Sequence, residues 1–193
     1  MTKLLNLKRL MELKEDKIGK DIEILKDGPI CKYFKNGILD KDLNWFNNKN
    51  FEVIEMNCRN WNRKNAHRKL KDALNFPDYY GENMNAFADC LTDMYNKKHR
   101  GLVLVFRSYD SFVEEDVKFA EAILDIIARE SRIWLLTGQK LIGLIQSDNP
   151  DLDFPELGGT SPIWNPSEWF NADRKNNETS LLIAVFIERM KAI

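Results

Sequence analysis

The stretch that decides how this chain folds is residues 76–95, which read Phe-Pro-Asp-Tyr-Tyr-Gly-Glu-Asn-Met-Asn-Ala-Phe-Ala-Asp-Cys-Leu-Thr-Asp-Met-Tyr. Pro77 and Gly81 are typical of a turn, so the first part of the stretch is predicted to be one. From Glu82 onward, apolar residues recur at the spacing of a helix. The sequence therefore predicts an amphipathic helix whose apolar side consists of Met84, Phe87, Ala88, Leu91, Met94 and Tyr95.

The opposite side of this predicted helix is acidic. At ~100° per residue, an arc of roughly 80° contains Glu82, Asn85, Asp89 and Asp93, while the whole stretch has no Lys or Arg. A charged outer face alone is most often an ordinary solvated surface. Here the charge has one sign, and Tyr79 and Tyr80 precede the helix on a turn, where we expect their rings to be exposed. We therefore interpret this face as a candidate protein-binding surface.

Residues 76–83, together with Ala86 and the run Asp89-Cys90-Leu91, resemble the signature of the barstar family of intracellular ribonuclease inhibitors. The resemblance covers residues 51–138 of this sequence. It implies an α/β fold in which a small three-stranded parallel sheet is surrounded by helices. It also implies that the protein acts by binding another protein.

The order of the predicted elements leads to the same fold without the resemblance. Three apolar runs are predicted strands, at residues 51–56, 102–106 and 133–136. Helical patterns lie between them, at residues 62–74, 82–95 and 111–130. Strands that alternate with helices favour a parallel sheet with right-handed crossovers. The continuous apolar run at 102–106 is typical of a strand that is buried on both faces.

The first 50 residues are predicted to be an N-terminal extension packed on this core, so that the chain forms one compact unit. Within it, the patterns predict an amphipathic helix at 3–16, short strands around Ile22–Ile24 and Tyr33–Phe34, and a short helix at 40–47.

Residues 139–193 are predicted to be a C-terminal extension. Asn165 and Pro166 have the residue types of a helix cap and a first helical residue, so a short helix is predicted to begin there. Residues 180–190 are apolar nearly all round. This predicts a buried helix, with a strand as the alternative.

The composition narrows the class of protein. The chain of 193 residues is 44% hydrophobic and 31% charged, with a formal net charge of −1, so it has no global basic field that would attract nucleic acid. The chain has three cysteines, Cys31, Cys58 and Cys90. Because an odd number cannot all pair within the chain and no CxxC motif is present, we expect reduced thiols. Because no signal-peptide pattern or apolar run of ~18 residues is present, we expect a cytoplasmic protein that does not span a membrane.

The sequence contains residues for three chemical alternatives to protein binding. A nucleophilic pair of Cys58 and His67 has no orienting motif beside it, and surface histidines are the expectation. A divalent metal on Glu82, Asp89 and Asp93 would need ligands from a second element. The basic outer face predicted at 62–74 is most often a solvated helix face rather than an RNA-binding surface. We therefore expect no enzymatic activity, no cofactor, no metal and no direct contact with nucleic acid.

Transferred residue by residue, the resemblance implies a partner-binding set. Tyr79 and Tyr80 are expected to be aromatic contacts, Gly81 to allow close approach, and Asp89 to be the central carboxylate that pairs with Arg or Lys of the partner. The full set comprises Tyr79, Tyr80, Gly81, Asn83, Met84, Asn85, Ala88 and Asp89.

Three positions depart from the family pattern. Asn85 stands where the family prototype has a second acidic residue, and Ala88 where it has a large aromatic one. The acidic residue on the later helix aligns with Arg129, with Glu130 one place away. Each departure removes a contact that the resemblance would otherwise imply.

The sequence thus predicts a barstar-like inhibitor that occludes the active site of a basic ribonuclease, as an antitoxin or immunity protein. The alternative is an interaction module of the same fold with a non-nuclease partner. The two extensions favour this alternative, because a minimal inhibitor would not need them. The sequence leaves the oligomeric state open.

Overall fold

A computed structural model describes residues 18–169 of the chain. The helix predicted at 3–16 and the helix or strand predicted at 180–190 lie outside the described residues. Seven helices form within this range: α1 Lys20–Leu25, α2 Asn36–Asn48, α3 Ala66–Leu74, α4 Met84–Asp93, α5 Tyr109–Glu115, α6 Val117–Leu136 and α7 Pro166–Trp169. Five strands form with them: β1 Ile30–Tyr33, β2 Glu52–Asn57, β3 Gly101–Arg107, β4 Lys140–Gln146 and β5 Ile163–Trp164.

The strands form one parallel sheet in the order β2-β3-β4-β1-β5. The predicted α/β class and parallel sheet are confirmed, whereas the expected number of three strands was wrong. The two further strands come from the segments that flank the family-like stretch: Cys31 pairs with Leu144 of β4 on one side and with Ile163 of β5 on the other. Pairing between such distant segments leaves no local pattern in the sequence.

The third predicted strand, residues 133–136, is instead the last turn of α6. Only Trp134 of this run is buried, since the apolar spacing of the preceding helix continues through it. The helix ends before Gly138, which has a φ of +80°, a conformation that glycine adopts without strain. The strand follows at β4, so the sheet extends beyond residue 138.

The core lies on both faces of the sheet. Along β3, Leu102, Leu104 and Phe106 point into one apolar cluster, whereas Val103 and Val105 point into the other. The first cluster also contains apolar residues of α3, α4, α5 and α6, and the second contains residues of α1 and α2. The prediction of a strand buried on both faces is therefore confirmed for 102–106.

The first 50 residues contain one helix where a strand was predicted. Ile22–Ile24 lies in α1, because its burial follows helical spacing, with Ile24 inward and Ile22 exposed. Tyr33 does lie in a strand, at the end of β1. The helix predicted at 40–47 is longer, extending over Asn36–Asn48.

The short helix predicted at Asn165 and Pro166 is confirmed as α7. The side-chain oxygen of Asn165 accepts a hydrogen bond from the backbone N–H of Ser167 at 2.9 Å, as a capping residue does. Its amide donates to the buried carboxylate of Asp42 at 2.9 Å. The carboxylate of Glu168 accepts from the backbone N–H groups of Phe34 and Lys35. These bonds attach the end of the described chain to α2 and to the two residues between β1 and α2.

Candidate functional site

The turn before α4 presents its two tyrosines in opposite ways. The backbone N–H of Tyr80 donates to the carbonyl of Pro77 at 2.9 Å, which closes the turn. The Tyr79 side chain is 79% exposed, whereas Tyr80 is 5% exposed. The expectation of an exposed ring is therefore confirmed for Tyr79 and wrong for Tyr80.

Tyr80 is buried because the core beneath the turn offers it an aromatic and a polar partner. Its ring centroid lies 4.9 Å from that of Phe76, and its hydroxyl lies 2.6 Å from Nδ1 of His67. Burial raises the pKa of the Tyr80 hydroxyl above its ordinary value. Burial likewise lowers the pKa of His67, an effect that the nearby carboxylate of Glu82 opposes. His67 is thus a buried partner of the turn and not the surface histidine that was expected.

Asn83 fixes the start of α4. Its side-chain oxygen accepts from the backbone N–H of Ala86 at 3.0 Å, and its amide donates to the carbonyl of Gly81 at 3.0 Å. A Cβ atom on Gly81 would lie 3.0 Å from the Asn83 amide nitrogen, so glycine leaves room for this side chain. Between them, Glu82 has a φ of +46°, the left-handed region that non-glycine residues rarely adopt. The Asn83 side chain is therefore engaged within the chain as a helix cap.

The two sides of α4 separate as the sequence predicts. Phe87, Cys90 and Leu91 are buried in the core. Met84 and Ala88 are half-buried and pack against it. The opposite side is exposed and consists of Asn85, Asp89 and Asp93. The helix was predicted to begin at Glu82, but it begins at Met84, and Glu82 is exposed in the turn before it.

We refer to the exposed residues Glu82, Asn85, Asp89 and Asp93 as the acidic ridge. Within residues 18–169, the ion pairs formed by Lys and Arg involve other carboxylates, such as Asp78, Asp116 and Asp125, and none involves the ridge. The charge of the ridge is thus not neutralised by the part of the fold that the structure describes. Such a surface attracts a cationic partner.

Helix α6 lies directly beside α4. The hydroxyl of Thr92 donates to the carboxylate of Glu130 at 2.7 Å, so Glu130 is turned inward and is buried. Arg129 is exposed and pairs with Asp125 at 3.1 Å, one turn earlier on the same helix. The family pattern has an exposed acidic residue at the position of Arg129, and here that position is a cation. Glu130 does not replace it, because its carboxylate is buried.

The described residues form neither an activated cysteine nor a group of metal ligands. Burial raises the pKa of the Cys58 thiol well above its ordinary value, which is the opposite of what a nucleophilic cysteine requires. All three cysteines are free and buried. Residues 18–169 contain no group of three potential ligand side chains placed to hold a metal ion. Over the same range, no helix combines the length and the apolar character that a membrane crossing requires.

Comparison with known proteins relates the part of the chain that contains α4 to one protein family. Residues 51–146 match the family model of Barstar (barnase inhibitor). This range includes β2, β3 and β4 with the helices between them. The chain is 34% identical over 79 residues to "Putative ribonuclease inhibitor YrdF" of Bacillus subtilis (strain 168), an alignment that covers 41% of this chain and 74% of that protein.

The chain therefore belongs to the barstar family. A chain in the structure of Drosophila ORC bound to GC-rich DNA and Cdc6 is also similar, with 20% identity and a TM-score of 0.46. That alignment covers 75% of this chain and 50% of the other chain, so this chain spans half of its length.

Proposed function

We propose that this protein inhibits a basic ribonuclease by placing the acidic ridge in its active site, and that it serves as an immunity protein or antitoxin without catalytic activity of its own. The observation that carries the proposal is the exposed carboxylates of Asp89 and Asp93 on α4 and of Glu82 in the turn before it, which no described cation of the chain neutralises. Membership of the barstar family supports the same reading.

The substrate of a ribonuclease determines the charge of its active site. An enzyme that binds RNA must hold phosphates, so its active site is cationic. Carboxylates spaced along a rigid helix can occupy such a site in place of the phosphates. Opposite charge accelerates the encounter by steering, and charge pairs that lose their water on binding oppose dissociation.

The described residues divide into proposed contacts and supports. Asp89 is the proposed central carboxylate, because it is exposed near the middle of α4. Tyr79, which is exposed in the turn before α4, is the proposed aromatic contact. Tyr80 and Asn83 support the turn from within, through His67 and the helix cap. Asn85 and Ala88 contribute shape without charge, so the partner surface is expected to differ at these two positions from that of the family prototype.

We also propose that residues 51–146 are the partner-binding unit, to which the flanking segments are additions. Strands β1 and β5, which come from those segments, join the edge of the sheet beyond β4. Helix α4 packs on α6, and the ridge residues are exposed, so the described parts of the additions, residues 18–50 and 147–169, do not cover the ridge.

The test is inhibition of purified bacterial ribonucleases whose active sites are basic. The intact protein should abolish RNA cleavage by at least one enzyme of the panel. Asp89→Lys should weaken inhibition by that enzyme on the order of a hundredfold, because it places like charges at the centre of the contact.

The matched control is Glu114→Lys, which makes the same change of charge at an exposed position on α5, outside the ridge. Inhibition by this variant should stay within about twofold of that by the intact protein, since surface charges far from the contact act mainly through screened long-range fields. Equal loss in both variants, or no loss in Asp89→Lys, would show that the ridge is not the binding surface.

A second candidate is an interaction module with a non-nuclease partner. It is favoured by Asn85 and Ala88, where the family pattern loses a charge and an aromatic ring. Ionic strength separates the two functions. Binding by charge in an active site should weaken steeply as salt rises from about 0.05 to about 0.5 M, whereas an apolar docking contact should change little.

A further inference from the structure

A cavity of about 280 Å³ lies between the start of α1, the end of α2 and the residue that precedes β3. Among the residues that line it are Ile18, Ile22, Trp45, Lys49 and Arg100. Small-molecule sites in proteins begin at about this volume. None of the lining residues belongs to the acidic ridge, so the cavity is a separate feature of the molecule.

One wall of the cavity is apolar. Ile18 is 58% exposed and Ile22 is 48% exposed. The Trp45 ring beside them has a fixed position, because it packs edge-to-face on Phe46 with ring centroids 5.2 Å apart. A Cβ on Gly19 would lie 3.2 Å from the Trp45 ring, so glycine leaves room beside it. The cavity therefore offers an aromatic ring with aliphatic groups next to it.

The other wall is cationic. The buried carboxylate of Asp21 accepts hydrogen bonds from Arg100 at 3.2 Å and from Lys140. The Arg100 guanidinium also lies 5.4 Å over the Phe51 ring, and its side chain is still 49% exposed. Lys49 is exposed and forms no ion pair within residues 18–169. These three cations face a single carboxylate, so the cavity carries an excess of positive charge in a chain whose net charge is −1.

The two walls together select one kind of ligand. A guanidinium and an ammonium bind phosphate or carboxylate oxygens. An indole ring favours flat aromatic ligands, which stack on it whatever their substituents. The volume of about 280 Å³ leaves space for little more than one ring system and its anionic group.

We propose that this cavity binds a small anion built on an aromatic ring, with the ring against Trp45 and the anionic group between Lys49 and Arg100. A nucleoside monophosphate has this chemistry, and so does a simple aryl phosphate. The proposal does not depend on the proposed function, because the cavity shares no residue with the acidic ridge.

Calorimetric titration of the full chain tests the ligand chemistry. The probes are adenosine monophosphate, phenyl phosphate, inorganic phosphate and adenosine. At least one of the two aromatic phosphates should bind with a Kd below about 1 mM. Inorganic phosphate and adenosine should bind at least about tenfold more weakly than that probe, because each makes only part of the contacts. Tighter binding of adenosine monophosphate than of phenyl phosphate assigns the site to nucleotides, and equal binding assigns it to aryl anions in general.

A charge reversal at the rim tests the location. Lys49→Glu should weaken binding of the aromatic phosphate about tenfold or more, because it removes one of the two cations that face the anionic group. The matched control is Lys41→Glu, an exposed position about two turns earlier on α2. Its affinity should stay within about twofold of that of the intact protein. Urea unfolding should give the same midpoint for both variants, so that a loss of binding is not a loss of fold.

The indole N–H signals report directly on the ring contact. The chain has five tryptophans, and the signal that disappears in Trp45→Leu identifies Trp45. This signal should shift more than the other indole signals when the aromatic phosphate is added. Shifts confined to the other signals would place the ligand elsewhere and overturn the proposal.

The remaining outcomes also decide the proposal. Inorganic phosphate that binds as tightly as the aromatic phosphates would reduce the cavity to a simple anion site, and no binding of any probe at about 10 mM would exclude the site altogether. Equal losses in Lys49→Glu and Lys41→Glu would show non-specific attraction. The natural cysteines are buried, so slow maleimide labelling of Ile22→Cys in the free protein would show that another segment or a second copy fills the cavity. Each of these results overturns the proposal and leaves ribonuclease inhibition to be judged by Asp89→Lys.

Discussion

Helices α3 and α4 follow each other in the chain and have opposite charge on their outer faces. On the basic side, Lys71 pairs with Asp78 at 3.3 Å, and Arg63 in the turn before α3 pairs with Asp116 at 2.6 Å. Arg68 of the same face forms no ion pair within residues 18–169. On the acidic side, the described residues provide no such partner for Asp89. From sequence alone, either face is an ordinary solvated one. The described fold thus neutralises the basic face in part and the acidic ridge not at all, and this difference makes the ridge the stronger candidate site.

The largest effect is expected where α4 is held to the core. Phe87 is fully buried on the inner side of this helix. Phe87→Ala should lower the free energy of unfolding by about 3–5 kcal/mol, because it removes apolar burial and leaves a cavity. Asp89→Ala, on the outer side, should change it by less than about 0.5 kcal/mol. Urea unfolding of both variants checks this. Equal losses would mean that the two sides of α4 are not separated as described.

A smaller effect is expected at the contact that joins the two regions. His67 on α3 bonds Tyr80 in the turn before α4, and burial lowers the pKa of His67, with Glu82 opposing the shift. Because its folded-state pKa is lowered, the unfolded chain binds a proton at pH values where the folded protein does not. The free energy of unfolding should therefore decrease as the pH falls below about 6.5.

The measurement is urea unfolding at about pH 7.5 and about pH 5.5, in the intact protein and in His67→Gln. The variant should lose part of the pH dependence in this window, and the affinity for an inhibited ribonuclease should follow the same trend through the Tyr80 turn. An unchanged pH dependence in His67→Gln would show that this buried contact does not control stability between these values.

The smallest effect is expected on the basic face. Arg68 is exposed on α3, and Arg68→Glu reverses one charge there as Asp89→Lys does on α4. It should change the free energy of unfolding by less than about 0.5 kcal/mol and ribonuclease affinity by less than about threefold at physiological salt. A loss as large as that of Asp89→Lys would make the basic face a second contact surface and remove the asymmetry between the helices.

Much of the family-like region could be predicted from local pattern. The apolar spacing of 82–95 gave α4 and its two sides, because a helix converts spacing of three and four residues into one face. The continuous apolar run at 102–106 gave a strand buried on both faces for the same kind of reason. The run at 133–136 was assigned to a strand because four consecutive apolar residues fit either structure, and only the continuation of α6 through Trp134 resolves it.

The candidate site, too, could be predicted in part from local sequence and in part only from the tertiary structure. The sequence determined its chemistry, namely the acidic outer side of α4, the turn before it and the position of Asp89, because side-chain type and local spacing fix these. The tertiary structure decided which groups remain available. It buried Tyr80 against His67 and turned Glu130 toward Thr92. It also placed β1 between β4 and β5. These arrangements depend on contacts between distant segments, whose partners are selected by packing of the whole sheet and leave no periodic trace in the chain.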